Sequence, residues 1–229
     1  MKIENGYLVF ENTDYIKNKK ITATNMTALL GTNKFKKKGD ALLSIFGVYK
    51  EVIDPFYTKR GEIAELILRE KYKSDGYQIK FWDKYAINFD NFPSQKEFGG
   101  MIDIALISPT REVVECKSKS LKDLDKTKRF RNDDYEHQAQ FYGYFSKCDD
   151  INLYYVFFAD EQENRIRNNQ PVDILKESFE FYTYKVKLDR EKFKNELEKC
   201  LDYKLMCFET RKIPLEDISE NVLQKLNVK

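Results

Sequence analysis

A single histidine, His137, occurs among the 229 residues of the chain. One histidine cannot form a metal site that needs several histidines, nor the two-histidine helix motif of zinc metalloproteases. A Ser-His-Asp site would have to use this residue, and no Gly-x-Ser-x-Gly turn accompanies it. We therefore expect any catalysis to depend on carboxylates, lysine and a hard cation, and we interpret His137 as a solvent-facing helix residue.

Cysteines are few and long apolar runs are missing. The four cysteines, at positions 116, 148, 200 and 207, fit neither a paired zinc motif nor an iron–sulfur run, so we expect reduced, structural thiols. No stretch approaches the ~20 apolar residues that a membrane-spanning helix needs. The N-terminal segment also lacks the apolar region of a signal peptide. These features predict a cytoplasmic protein without a membrane partner.

Charge of one sign is not in large excess. The formal net charge is only +2, so the chain as a whole is not a polycation. Basic residues instead cluster in residues 33–40 and 117–131, and the second cluster carries seven Lys or Arg against two Asp. Two interpretations of the second cluster are open: a solvated loop, or a contact with the phosphate backbone of a nucleic acid.

Apolar residues (41%) and aromatic residues (14%) are plentiful enough for a sizeable core. Without a repeat or a long Gly/Pro-rich linker, one large domain is expected. Periodicity and turn signals predict helices in residues 21–35, 39–51, 55–76, 133–147, 190–209 and 214–227. Thr22 or Thr24 would cap the first of these helices and Gly31 would stop it, and Asp133 or Asp134 would cap the helix at 133–147. They predict strands in residues 77–83, 100–108, 111–118, 151–160 and 178–189, and a loop or edge in residues 88–100. This order is typical of an α/β layer structure with a mixed sheet.

The strands predicted at 100–108 and 111–118 form a hairpin around a Ser-Pro-Thr turn, and both contain charged side chains. Asp103 lies in the first strand, and Glu115 and Lys117 lie in the second. Because side chains alternate along a strand, Glu115 and Lys117 share a face. Pairing across the turn can bring Asp103 close to Glu115.

This group of charges has two interpretations. The oxygens of Asp103 and Glu115 suit Mg²⁺ or Mn²⁺, and the backbone carbonyl of Cys116 could supply a third ligand. Lys117 could then orient a water molecule or offset charge on a phosphate. The alternative is a structural salt bridge on a solvated strand face. The spacing alone does not decide between them.

Two predicted helices carry further polar candidates. Glu65 borders the apolar side of the helix at 55–76, although Glu70 is equally unusual there. Gln138 and Tyr142 are four residues apart and share a face of the helix at 133–147. Gln138 could bond a phosphate oxygen, a lysine or a water molecule, or could be an amide at the edge of the core.

Taken together, these segments resemble the PD-(D/E)XK nuclease superfamily, and within it the lambda exonuclease/YqaJ-like viral recombinase branch. The resemblance covers residues 17–145 and rests on the order of "KNKKITATNMTALLG", "RGEIAE", "GGMIDIAL", "VVECKSKS" and "YEHQAQFYGY". It implies a restriction-endonuclease-like core with a mixed β-sheet flanked by helices. It also implies a single nuclease domain over residues 1–229, with catalytic motifs in residues 60–145.

The resemblance assigns roles around the hairpin. Asp103, Glu115 and the carbonyl of Cys116 would hold the metal, and Lys117 would be the catalytic lysine. Glu65 would be a helix carboxylate that holds this metal or a second one.

Further roles follow from the same resemblance. Gln138, in a Gln-x-x-x-Tyr pattern with Tyr142, would position the lysine or the substrate, and Gln140 is an alternative to it. Thr24 would replace the usual serine of a pocket for a DNA 5′-phosphate. Lys17 stands where that pocket has an arginine.

The activity implied is that of a Mg²⁺-dependent DNA exonuclease, with Mn²⁺ as a substitute. Such an enzyme would digest double-stranded ends 5′→3′ and expose single strands for phage-type DNA recombination. The expected partners are double-stranded DNA, a single-strand annealing protein and further copies of the chain, as in a ring-shaped trimer. The source would be a phage or mobile element acting in its host cell. Two alternatives remain: an endonuclease of the same fold, and a catalytically silent DNA-binding protein.

Overall fold

The computed structural model describes residues 1–11, 16–82 and 90–226. These residues form eight strands: β1 Lys2–Glu4, β2 Tyr7–Val9, β3 Gln78–Lys80, β4 Ile104–Ser108, β5 Glu112–Ser120, β6 Ile151–Phe158, β7 Glu180–Lys185 and β8 Lys212–Pro214. They also form eight α-helices: α1 Ala23–Leu29, α2 Lys38–Ile45, α3 Pro55–Ser74, α4 Leu124–Arg129, α5 Asp133–Ser146, α6 Asp160–Arg167, α7 Arg190–Thr210 and α8 Glu220–Leu223. Three of the predicted segments, 77–83, 88–100 and 214–227, extend into residues outside the described ranges.

The chain divides into two compact units. The first comprises residues 1–51, 92–100 and 189–229, and the second comprises residues 52–91 and 101–188. The predicted metal and catalytic residues belong to the second unit. The prediction of one nuclease domain over the whole chain stays a prediction.

The second unit is built on a five-stranded sheet in the order β3-β4-β5-β6-β7. Strands β5 and β6 pair in parallel, whereas the other neighbours are antiparallel. The parallel pair follows from the chain path, because α5 crosses over between β5 and β6. The predicted α/β class with a mixed sheet flanked by helices is therefore confirmed.

Helices cover both faces of this sheet. On one face α3 packs through buried residues such as Leu68 against Val114 and Cys116 of β5. On the other face Ala139 of α5 packs in a cluster with Tyr155 of β6. Each helix presents an apolar stripe, which is what a sheet buried on both faces requires.

The hairpin of β4 and β5 has the predicted pairing, with Ile104 opposite Val114. Strand β4 begins one residue after Asp103, so Asp103 ends the loop before the strand and is not inside the strand as expected. Since Val114 and Cys116 face α3, alternation along β5 directs Glu115 and Lys117 toward the α5 face.

The first unit contains a three-stranded antiparallel sheet in the order β1-β2-β8, together with α1, α2, α7 and α8. Its interior holds one fully buried lysine, Lys204 of α7, with no exposed surface. The Lys204 ammonium donates to Glu97 Oε2 at 2.6 Å, so this buried charge is paired.

Local signals explain most helix ends, with corrections at two N-termini. Helix α3 starts at Pro55 after Asp54, whose side chain accepts from the backbone N–H of Phe56. Asp133 or Asp134 was expected to cap α5, but Asn132 is the N-cap and accepts from the N–H of Tyr135. Asn132 precedes both aspartates and is an equally good cap, so the sequence did not separate them.

The N-cap of α1 is Thr22, and its side chain makes no capping hydrogen bond. Thr24, the other candidate, is the second residue inside the helix. The chain then turns at Gly31, which has a φ of +75° and ends the helix as predicted.

Some elements had not been predicted. Helix α6 is short and very polar, and the three strands of the first unit have three residues each. Residues 117–131 are not a loop: they complete β5 and continue through a 3₁₀ turn at Leu121–Asp123 into α4. In the stretch predicted as a helix at 214–227, the described residues 214–226 comprise the last residue of β8, a 3₁₀ turn, the four-residue α8 and irregular backbone. No helix of the described residues is long and apolar enough to cross a membrane.

Candidate active site

The backbone of β5 fixes the position of Asp103. Continuing the β4–β5 pairing by one residue places Asp103 opposite Glu115. The backbone N–H of Cys116 donates to Asp103 Oδ2 at 2.9 Å. This bond holds the Asp103 carboxylate just before β4, beside the two β5 residues with which it was predicted to act.

Lys117 joins the strand to helix α5. Its Nζ donates to Glu115 Oε1 at 2.5 Å and to Gln138 Oε1 at 2.8 Å. Glu115 is 3% exposed and Gln138 is 8% exposed, so these bonds lie away from bulk water. The structure thus brings together Lys117 and the glutamine proposed to position it.

The electrostatics of the pair depend on burial. Burial and the nearby Asp103 raise the pKa of Glu115, while Lys117 acts in the opposite direction. Burial would lower the pKa of Lys117, but Glu115 and Asp103 more than offset it, and the net pKa is raised. Lys117 is accordingly held as an ammonium ion within a locally acidic site.

One oxygen of this acidic site lacks a partner. Glu115 Oε2 is buried and accepts no hydrogen bond from the residues that the structure describes. A buried carboxylate oxygen is costly unless a donor or a cation satisfies it. The atoms that could ligate a metal here are all oxygens, from Asp103, Glu115 and the carbonyl of Cys116, and oxygens are the ligands that Mg²⁺ prefers. The ligand chemistry of these residues therefore fits a divalent cation.

Glu65 approaches the site from α3. It is 5% exposed, and its charge contributes to raising the pKa of Glu115. Its Oε2 accepts from Arg69 Nη2 at 3.3 Å. Within the described ranges, no three His, Cys, Asp or Glu side chains form a ready group for a metal ion. The predicted metal ligands therefore stay a prediction.

The two remaining candidates on α5, Tyr142 and Gln140, have different surroundings. Tyr142 is half-buried, and its side chain forms a hydrogen bond with the backbone of Met101. Burial, with the nearby Glu115 and Asp103, raises the pKa of Tyr142. Gln140, the alternative to Gln138, instead donates to the carbonyl of Lys187 at 2.7 Å.

His137 Nδ1 lies 2.8 Å from the carbonyl oxygen of Asp133. The histidine is only partly exposed and contacts its own helix backbone. It takes no part in the contacts described for Lys117 and Gln138.

Tyr135 is a contact of Lys117 that was not predicted from the sequence. Lys117 Nζ lies 4.9 Å from the centre of the Tyr135 ring, and Lys119 Nζ lies 5.9 Å from it. Tyr135 precedes Gln138 by three residues and so shares its helix face. That spacing is the signal that could have revealed it.

Arg60 was not predicted as a site residue, although it belongs to the "RGEIAE" segment. It is 9% exposed, and it donates to Ser118 Oγ at 3.3 Å and to the Ser118 carbonyl at 3.1 Å. It forms an ion pair with Glu163 of α6. Arg60 therefore ties α3 and α6 to the strand residue that follows Lys117.

The predicted phosphate-binding residues, Lys17 and Thr24, lie in the first unit and are both exposed. The backbone N–H of Lys17 donates to the carbonyl of Phe46 at 2.9 Å. The carbonyl of Thr24 accepts from Thr27 Oγ1 at 3.0 Å. Their role with a 5′-phosphate stays a prediction.

The chain is similar in structure to solved exonucleases. An alkaline exonuclease (LHK-Exo) from Laribacter hongkongensis matches 83% of this chain and 90% of its own, with 12% identity and a TM-score of 0.56. LHK-Exo in complex with dAMP matches the same shares at 12% identity, with a TM-score of 0.57. A phage related exonuclease from Haemophilus somnus 129PT matches 84% of this chain and 96% of its own, with 16% identity and a TM-score of 0.54. No family model and no curated protein matches the sequence. The chain therefore has the fold of these exonucleases, in agreement with the resemblance that its motifs indicated.

Proposed function

We propose that the chain is a Mg²⁺-dependent deoxyribonuclease that digests linear DNA from its ends. The observation that carries this proposal is the half-buried lysine, Lys117, held between Glu115 and Gln138 beside Asp103. The fold shared with two exonucleases supports it. A structural salt bridge alone would not explain the unsatisfied Glu115 Oε2 beside a second carboxylate.

The residues of the site divide the work of phosphodiester hydrolysis. Asp103, Glu115 and the Cys116 carbonyl would hold the cation, which when bound would polarise a phosphoryl oxygen and favour hydroxide formation. The Lys117 ammonium would orient the attacking water and offset negative charge that develops on the phosphate. Gln138 would keep that ammonium in place without neutralising it, because an amide oxygen carries no charge.

The finer properties of the activity rest on the sequence resemblance. They are 5′→3′ polarity on double-stranded ends, use of Mn²⁺ in place of Mg²⁺, and a role in phage-type recombination beside a single-strand annealing protein. Assembly into a trimer belongs to the same proposal. The proposal of a phage-type exonuclease is supported by the two exonucleases of the same fold, one of which is described as phage related.

The test compares linear and closed circular duplex DNA in Mg²⁺. Digestion of linear DNA alone supports the exonuclease, and opening of circles would favour the endonuclease. Binding without cleavage of either substrate would favour the silent DNA-binding protein. Linear duplex labelled at one 5′ end or one 3′ end then reports polarity, because 5′→3′ digestion releases the 5′ label first. Lys117→Met is the matched inactive control, since it keeps the length of the side chain.

A further inference from the structure

A basic segment leads away from the candidate active site. Residues 126–131, Lys-Thr-Lys-Arg-Phe-Arg, contain four basic residues and no acidic one; we call them the basic arm. They form the end of α4 and the link to α5. The basic arm is therefore placed between the strand that carries Lys117 and the helix that carries Gln138.

The basic arm is fastened to β5 on the side of the active site. Lys119 Nζ donates to Thr127 Oγ1 at 3.1 Å, and Thr127 is 3% exposed. Lys119 follows Lys117 by two residues, so both side chains leave the same face of the strand. A polymer bound at Lys117 can thus continue directly onto the basic arm.

The outer surface of the basic arm has the composition of a nucleic-acid contact. Lys126, Lys128 and Arg129 are exposed, and the structure gives them no ion pair or side-chain hydrogen bond with the described residues. Phe130 is 68% exposed. The following residue, Arg131, lies over the Tyr184 ring at 4.7 Å.

The other basic cluster differs in this respect. Phe35 in residues 33–40 is even more exposed, at 95%. Two of the lysines that follow it are engaged by the protein, because Lys36 Nζ donates to Asn25 Oδ1 at 3.1 Å and Lys37 Nζ donates to the Glu216 carbonyl at 3.0 Å. The basic arm thus has the larger share of cations available for a ligand.

We propose that the basic arm binds a single DNA strand running past Lys117. Phe130 stacks on an unpaired base, and the three cations of α4 contact the phosphates of the strand. Exposed aromatics within a basic surface bind single strands in this way, whereas the bases of an intact duplex offer no free face to such a ring. The inference rests on the proposed nuclease function, and it adds where and in which form the DNA strand is held.

The test measures the affinity of the full chain for a fluorescent oligothymidylate, in Ca²⁺ to allow binding without rapid cleavage. Phe130→Ala should weaken binding at least about fivefold, as loss of one stacked base does. Phe130→Tyr should retain affinity because it keeps the ring. Leu175→Ala removes another exposed apolar side chain, 78% exposed, and should change nothing.

The phosphate contacts are tested by salt dependence. Combining Lys126→Ala, Lys128→Ala and Arg129→Ala should lower the slope of log affinity against log salt by about 2, at ~0.7 for each contact to a single strand. A matched triple substitution of exposed lysines on α7, Lys192→Ala, Lys194→Ala and Lys199→Ala, removes the same charge and should leave the slope unchanged.

The outcomes separate this inference from the nuclease proposal. If the wild-type chain digests linear DNA but the basic-arm variants bind the oligothymidylate normally, the basic arm is not the binding surface. If Phe130→Ala weakens binding to a closed-end duplex hairpin as much as to the single strand, the stacking assignment is wrong. If the wild-type chain neither binds nor digests DNA, both proposals fail.

Discussion

Lys117 Nζ and Gln138 Oε1 lie 2.8 Å apart and join strand β5 to helix α5. The glutamine accepts from an ammonium group that Glu115 also holds. Two acceptors from different elements restrict Lys117 more tightly than its own long and flexible stem could. The direction of the ammonium is therefore set by the packing of α5 on the sheet.

The first prediction concerns this positioning. Gln138→Leu should lower the single-turnover cleavage rate at saturating DNA at least about tenfold, because it removes a hydrogen bond to a charged group. DNA affinity should change little. Gln140→Leu is the control on the same helix, since Gln140 bonds the Lys187 carbonyl instead, and its rate should match the wild type. Equal loss in both variants would show that α5 is merely destabilised.

A second prediction distinguishes the two lysines beside Tyr135. Lys117→Ala should lower the single-turnover rate at least ~10²-fold, as loss of an electrostatic donor in a catalytic site does. Lys119→Ala should act mainly on DNA affinity, because Lys119 anchors the basic arm through Thr127. Measurement of both the rate at saturating DNA and the dissociation constant separates the effects. A normal rate for Lys117→Ala would remove this lysine from catalysis.

The metal site has a readout that does not depend on activity. Adding Mg²⁺ should raise the Tm of the wild-type chain, because a ligand that binds only the native state stabilises it. The Asp103→Asn and Glu115→Gln variants should lose this shift together with cleavage, while remaining folded without metal.

The same Tm and cleavage measurements, made on variants of Glu65 and Glu70, test the role of the helix carboxylate. Glu70 pairs with Lys73 at 2.7 Å at the surface of α3, so Glu70→Gln should retain both the Tm shift and cleavage. Glu65→Gln should lose part of both if the helix carboxylate contributes to the site. Identical behaviour of the two variants would contradict a role for Glu65 at the metal.

The sequence predicted the fold class, because apolar runs and turn signals mark β4, β5 and β6 directly. It also placed Glu115 and Lys117 on one face, since strand alternation is a local property. Helical periodicity could not single out Glu65 over Glu70, because it ranked both alike, and only the family resemblance named Glu65. Only the fold shows that Glu65 is buried and that Glu70 is paired at the surface.

Contacts between residues that are far apart in the chain could also not be predicted from the sequence. Arg60 contacts Ser118 and Glu163, which are 58 and 103 residues away. No local pattern encodes such a meeting. Helix α6, which supplies Glu163, is too polar to give a helical apolar stripe, so its existence was missed as well.

Arg60 gives a prediction about stability. Arg60→Met should lower the free energy of unfolding by about 3 kcal/mol, because it leaves the Glu163 carboxylate and the Ser118 carbonyl without their donor. Lys73→Met removes an exposed cation of the same helix, whose ion pair with Glu70 lies at the surface, and should change it by less than about 0.5 kcal/mol. Urea unfolding of the two variants measures the difference. If Arg60→Met unfolds like the wild type, the ion pair with Glu163 contributes no net stability.

The last prediction concerns the DNA end and the residues Lys17 and Thr24. A terminal 5′-phosphate carries more charge than an internal phosphodiester, so a pocket for it needs a cation and hydroxyl donors. Lys17 and Thr24 offer both groups on the exposed surface of the first unit. Duplex with a 5′-phosphate should therefore be digested faster than duplex with a 5′-hydroxyl. The preference should be modest, because lysine is a point charge and lacks the two-pronged fork of arginine.

Variants at these two positions should change the preference and leave the metal requirement alone. Lys17→Ala and Thr24→Ala should each reduce the ratio of the two rates, Thr24→Ser should retain it, and Lys17→Arg should increase it. Thr24→Ala should also cost little stability, because Thr22 and not Thr24 occupies the N-cap of α1. Lys34→Ala, another exposed lysine of the first unit, is the control for charge. A wild-type ratio near one would eliminate the pocket and would favour an endonuclease, which has no need to recognise a DNA end.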